Sequence, residues 1–209
     1  MNIIYKEKQI EIPEESKVID IFKKEIQEAK VQVVACKINH EVKSLNTILK
    51  EGNVVELLDI SDRDGARTYT RGLLFVMSKA FHVLYPELKL TVNYQLNSSM
   101  LCEIYEKTPT EEMITEVRKK MQEIIAKNLP IQKVEMTKVE AKQFIEEKNT
   151  NIGKLQIDNI EKKEVSFYFC EEYFNYFYGV MPISTGFMKL FDIMKYHDGF
   201  LIRYPNKRK

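Results

Sequence analysis

The chain has 209 residues, a formal net charge of +1, 44% hydrophobic and 30% charged residues, the make-up of an ordinary globular protein with one large or two small domains. That charge balance makes no general electrostatic case for nucleic acid, which would need a local basic patch. No apolar run approaches the roughly 20 residues that span a bilayer, and the opening MNIIYKEKQIEIPEE is too charged for a signal peptide. Cys36, Cys102 and Cys170 are dispersed, without a C-x-x-C pair, and read as reduced thiols of a cytoplasmic protein.

Residues 1 to about 60 read as a compact α/β unit. Asn2 to Lys6 and Gln9 to Ile12 alternate around a short polar turn, the pattern of a hairpin. Ser16 is placed as an N-cap, with Ile19, Phe22 and Ile26 at helical spacing behind it. Val31 to Ile38 is a β-branched run, Asn39-His40 a turn, and Val54 to Leu58 a closing strand after Gly52-Asn53. His40 has no acidic or Cys neighbour and reads as exposed structure. The polar Ser61-Asp62-Arg63-Asp64-Gly65 stretch marks the break to a second unit, 61–209.

In that second unit the spacing predicts a helix from about Thr70 to Leu84, burying Leu73, Leu74, Met77, Ala80, Phe81 and Leu84. Arg71, Phe75, Ser78 and His82 form a neighbouring stripe. Leu88 to Leu96 and Met100 to Tyr105 read as paired strands around Asn97-Ser98-Ser99. Thr108, Pro109 and Glu111 are placed as N-cap, N1 and N3 of a second helix running to about Lys127, with Met113, Val117, Met121, Ile124 and Ile125 inward. Arg118-Lys119-Lys120 fans over too wide an arc to grip a phosphate row and reads as a solvated face. Thr137 with Glu140 repeats the capping box for a short helix through Ala141, Phe144 and Ile145. The aromatic Val165 to Tyr178 stretch alternates as a β-hairpin partly covered on both faces; lacking interleaved Lys or Arg, it reads as core rather than a base-stacking platform. Glu171 and Glu172, if on a strand, face opposite sides. His82 and His197 have no Cys or His at ligand spacing, and no G-x-x-x-x-G-K-[ST] loop or nucleophile elbow is present.

The stretch from Cys170 to Lys195, CEEYFNYFYGVMPISTGFMKLFDIMK, resembles the C-terminal signature of the editing domain of threonyl-tRNA synthetases, shared with alanyl-tRNA synthetases. There a Glu-Glu-Tyr stretch leads to a Cys, then Arg-Gly-Pro, then a His. Glu171, Glu172, Tyr173 and Gly179 keep the frame, while Phe177 stands at the Cys position and Met181 at the His position. The family's other half is a His-x-x-x-His pair on one helix face. Register from Leu84-Tyr85-Pro86 puts Arg71 and Phe75 at those two positions. A guanidinium stays protonated and a phenyl ring has no lone pair, so the resemblance implies a degenerate site that has lost editing-type hydrolysis. Ile38-Asn39-His40, Leu45 to Leu49 and Gly52-Asn53-Val54-Val55-Glu56-Leu57 resemble the TGS domain that precedes it.

The resemblance therefore implies an α+β chain: a ubiquitin-like β-grasp (TGS) domain over 1–60, then a larger α+β sandwich of the editing-domain type over 61–209. Tyr69-Thr70-Arg71, Leu101-Cys102-Glu103 and Asp198 to Pro205 also resemble the N-terminal half of bacterial uridine kinase-like proteins, in which both modules precede a P-loop kinase domain. The ending Asn206-Lys207-Arg208-Lys209 then reads as a truncation upstream of that domain. ATP and Mg would belong to it alone, with no cofactor or metal in this part. The leading expectation is a non-catalytic accessory region whose degenerate cleft, around Arg71, Phe75, Phe177, Met181 and His82, binds a nucleotide, an RNA end or a partner kinase domain. The enzyme alternative is a hydrolase of mischarged tRNA with a new site using Arg71 and His82. The third is a purely structural docking or dimerisation module. Within the cleft, Phe75 and Phe177 are expected to pack on each other and on Met181, with Arg71 at the rim; an open pocket with Arg71 as its cation is the competing picture.

Overall fold

The computed structural model describes residues 1–96, 98–148, 157 and 164–205; the expected turn residue Asn97 and the ending at 206–209 lie outside the described residues. Helices and sheets are mixed, an α+β arrangement. The first sheet is built from β1 (Asn2–Tyr5), β2 (Lys8–Glu11), β3 (Val33–Ile38), β4 (Glu41–Lys43) and β5 (Val54–Asp59) in the order β2-β1-β5-β3-β4. β1 and β5 are parallel and the other neighbours antiparallel. Asn39 and His40 both take positive φ (50° and 71°), which turns β3 tightly into β4.

Between β2 and β3 the expected helix is split into α1 (Val18–Ile21) and α2 (Lys23–Glu28). Ser16 is not its cap, because its hydroxyl donates to Pro13 O at 2.9 Å. The first N–H groups of α1 instead reach backbone carbonyls, Val18 N to Thr47 O and Ile19 N to Leu45 O, so no side-chain cap is needed. Ile3, Val18, Phe22, Ile26, Cys36, Leu45, Leu49 and Val55 close this core. A bulge between Val33 and Ala35 lets Val33 face it while Val34 turns to the neighbouring core.

The long helix α3 (Arg63–Leu84) starts seven residues before the expected Thr70. Asp62 caps it, accepting from the N–H groups of Asp64 (2.7 Å) and Gly65 (3.3 Å). Gly65 is thus a helical residue rather than part of a loop. A Cβ there would lie 2.0 Å from Asp59 O, so glycine is what lets the helix turn away directly from β5. Lys37 and Asp64 add an ion pair at 3.5 Å across the same junction.

A second sheet, ordered β11-β12-β7-β6, comprises β6 (Leu90–Leu96), β7 (Ser99–Ile104), β11 (Asp192–Tyr196) and β12 (Gly199–Arg203). It packs on α3 and α4 (Glu111–Ala126), with the Phe81 and Phe200 rings stacked at 5.3 Å. The cap of α4 is Thr110, accepting from Met113 N at 3.1 Å; Thr108 lies outside the helix and Pro109 is buried just ahead of the cap. The expected inward residues of α4 are all buried. Arg118 departs from the solvated reading: its guanidinium donates to Ile193 O and pairs with Asp192 at 3.3 Å, docking the helix on β11.

The third sheet, β10-β9-β8, comprises β8 (Gln132–Thr137), β9 (Glu164–Cys170) and β10 (Tyr173–Tyr176). α5 (Lys138–Glu147) covers one face, opened by the Thr137–Glu140 capping box. Period-two alternation divides β9: Val165 and Phe167 join Ala141, Ile145, Ile157 and Phe174, whereas Tyr168 and Cys170 face α3. Glu171 and Glu172 are not strand residues but the hairpin turn, with Glu171 at φ 55°. A 3-10 turn (Thr185–Phe187) leads on to β11.

Candidate functional site

The residues expected at the cleft come from two places far apart in sequence, α3 and the segment leaving β10. Phe75 is fully buried in the middle of α3. Its ring meets Tyr173 at 5.2 Å and Phe177 at 6.0 Å, both edge-on, the geometry aromatic quadrupoles favour. Met181 is 3% exposed and belongs to the same core.

One turn before Phe75, Arg71 reaches over this cluster. Its Nη1 donates to Val180 O at 2.6 Å, and its guanidinium lies against Gly179, which takes φ +103°. Tyr168 completes the clasp by donating its hydroxyl to Gly179 O at 2.5 Å. Burial pushes Tyr168 up to about 12, so its proton stays for that bond. Burial also lowers the Arg71 pKa, partly offset by Tyr168, but a guanidinium remains charged throughout. The segment 177–181 is thus tied down by two side chains acting on backbone carbonyls.

His82 meets this cluster at its Tyr173 edge, away from Arg71. It is exposed at the far end of α3, against Tyr173 with ring centroids 5.3 Å apart. It has neither the burial nor the surroundings of a positioned base, and it stands three helical turns from Arg71. Among the described residues, no group of three or more His, Cys, Asp or Glu is placed to hold a metal ion.

Sequence reasoning missed Lys79. Its side chain is almost wholly buried, with Nζ donating to Cys170 O and pairing with Glu171, both at 2.9 Å. The signal was its position, four residues after Phe75 on the same helix face. Lys79 therefore pins the Glu171 turn to α3, and the bond lowers the Glu171 pKa. The Cys170 thiol beside it is pushed up by burial and stays protonated.

In front of the closed cluster lies an open groove of about 1530 Å³ between the residues 42–47 and the β8-β9-β10 sheet. Tyr168, Phe177, Tyr178 and Met181 line it, with Lys43 and Lys133 among its cations. Both lysines are already matched: Lys43 with Glu41 at 2.8 Å, Lys133 with Glu135 at 2.5 Å. Phe177 and Met181 thus face the groove on one side and the core on the other. What the arrangement offers is an aromatic surface whose lining lysines are paired.

No family model matches the chain. It is similar to the threonine–tRNA ligase of Clostridium tetani, 28% identical over 93% of this chain and 31% of the ligase. A probable cytoplasmic threonine–tRNA ligase of Enterocytozoon bieneusi is 27% identical over 78% of the chain, and the threonine–tRNA ligase of Bacillus velezensis 26% identical over 79%. The chain spans only about a third or a quarter of these relatives' length, 31%, 25% and 26%. Most of the chain is thus similar to a part of threonine–tRNA ligases. No helix among the described residues is long and apolar enough to cross a membrane.

Proposed function

We propose that this chain is a non-catalytic accessory region of a threonine–tRNA-ligase-related protein: a TGS-type β-grasp at 1–60 and an editing-type domain at 61–209 whose reaction centre has been packed shut. The β2-β1-β5-β3-β4 order, with one parallel pair and a helical crossover between β2 and β3, supports the β-grasp assignment. The meeting of Arg71 and Phe75 with the 177–181 segment supports the editing-type register, since these positions are about 100 residues apart in sequence.

The observation that carries the reading is Phe75, fully buried and edge-on to Phe177 where hydrolysis would need a positioned base and an activated water. Arg71 supplies no substitute base, because it is protonated and committed to Val180 O. The remaining capacity of the domain is binding, through the groove in front. Matched lysines there favour an uncharged or base-like group, or a partner protein, over a run of phosphates. A kinase domain as that partner rests on the resemblance of residues 69–71, 101–103 and 198–205 alone.

The test is deacylation of seryl-tRNA by the purified chain. The expected rate equals the uncatalysed background. Turnover that vanishes in Arg71→Ala or His82→Ala would replace this reading with that of an editing-like hydrolase with an altered site.

A further inference from the structure

The outer edge of β8 carries a pattern that the accessory role does not explain, and the inference from it is independent of that role. β8 ends its sheet, and among the described residues no strand pairs with its second edge. Pro130 and Ile131 at its start are occupied: Pro130 bridges Ser184, and Ile131 N donates to Ile183 O at 2.9 Å. At its other end Thr137 turns into α5 as the N-cap. Among the described residues, what stays open is Gln132 to Met136, five residues centred on Val134.

The direction of the open backbone groups follows from Ile131. Its N–H points away from β9, toward Ile183, so strand alternation turns the N–H and C=O of Lys133 and Glu135 outward as well. We propose that two copies of this chain pair antiparallel along this edge, about a two-fold axis at Val134. Lys133 of each copy then stands opposite Glu135 of the other, and Val134 opposite Val134. Both outward-facing residues exchange their N–H and C=O groups with a residue that also faces outward. No other centre in this stretch gives both matched bonds and matched charges.

The side chains agree with that symmetry. Lys133 and Glu135 lie on one face, beside Tyr168 and Ser166, and in the single chain they pair with each other. Across the two-fold, four charges alternate in sign, an arrangement that cross-strand pairs favour. On the opposite face Val134 is 39% exposed; pairing sets it against its own counterpart at the two-fold axis. The exposed edge strand β6, by contrast, has its register broken between Val92 and Gln95, a device that discourages edge pairing. β8 runs in unbroken register with β9 and lacks it. The assembly is an isologous dimer with one sheet continuous through both copies.

Sedimentation velocity of the chain over a range of concentrations should show a monomer–dimer equilibrium. Glu135→Lys places like charges opposite each other twice and should weaken association about tenfold or more. Combining it with Lys133→Glu exchanges the charges and should restore the dimer. Val134→Cys should give a disulfide-linked dimer on mild oxidation, since residues facing each other at a non-hydrogen-bonded pair have Cα atoms about 4.5 Å apart. Val83→Cys, also exposed but on α3, serves as the control that should not cross-link. The proposal is overturned by a monomer at every concentration, by association that Glu135→Lys leaves intact or the double exchange fails to restore, or by a dimer that the Val134→Cys variant forms without cross-linking. Deacylation activity plays no part in any of these readouts.

Discussion

The guanidinium of Arg71 is packed against Gly179 so closely that a Cβ on that glycine would stand 2.7 Å from Arg71 Cζ. Gly179 also takes φ +103°, a conformation side-chain-bearing residues rarely adopt. Two separate features, backbone strain and lack of room, therefore require glycine in the segment that closes over Phe75.

Gly179→Ala should destabilise the chain by about 1–3 kcal/mol, the usual range for strain and overpacking together. Arg71→Ala removes the crowding but leaves Val180 O without its donor. In a double-mutant cycle the combined variant should lose less than the sum of the two, because the steric part exists only when both residues are present. Additive losses, measured by urea denaturation, would mean that the clasp does not act as a unit.

The packed centre makes an equally direct claim about Phe75. Truncating a buried Phe to Ala typically costs about 3–5 kcal/mol. For a chain of this size Phe75→Ala should lower Tm by roughly 10 °C. His82→Ala, at an exposed position, should stay within about 0.5 kcal/mol of the parent. Thermal melts of the two variants that coincide would show that Phe75 is not packed as described.

The helices and most strands were legible because their apolar residues repeat at the right period. Leu73, Met77, Ala80 and Phe81 on α3, and Val117, Met121 and Ile124 on α4, announce their buried faces directly. Helix starts were less legible because tertiary structure chose among competing caps. The carbonyls of Leu45 and Thr47 displace Ser16 from the cap of α1, and Asp62 begins α3 inside what reads as a loop. β8 went unread because Gln132 to Thr137 is a largely exposed polar edge whose strand identity comes from pairing with β9. At the site, the partnership of α3 with residues 177–181 needed the family resemblance, since no local pattern links positions so far apart. Lys79 was hidden because a lysine in a helix normally reads as solvent-facing.

Gly65 offers a test of the junction between the first sheet and α3. A Cβ at this position would meet the backbone of Asp59, with O at 2.0 Å and C at 2.8 Å, and a backbone cannot swing aside as a side chain can. Gly65→Ala should therefore cost about 3 kcal/mol, despite alanine's higher helix propensity. A gain in stability, as expected for an unconstrained helical glycine, would place the helix start elsewhere. Amide exchange at Ile60 and Ala66, both hydrogen-bonded at the junction, would report the same displacement locally.

The ion pair between Lys79 and Glu171 gives the chain a specific acid sensitivity. The hydrogen bond from Lys79 holds the Glu171 pKa below its ordinary value, with the lysine's charge adding to it. A carboxylate depressed in the folded state stabilises the fold above its unfolded pKa, and that contribution is lost as pH falls through the folded one. The window is therefore acidic, beginning near the ordinary glutamate value of 4.5 and extending below it. Because the lysine is buried and the glutamate exposed, protonating Glu171 removes the countercharge of Nζ and leaves it Cys170 O and the face of the Tyr173 ring. Glu171→Gln should lower Tm at neutral pH and flatten the Tm profile across the acidic window. Lys79→Met keeps the side chain's bulk, removes the buried charge, and should flatten the profile in the same way. Parallel Tm-versus-pH curves for the parent and both variants would show that the pair does not form in solution.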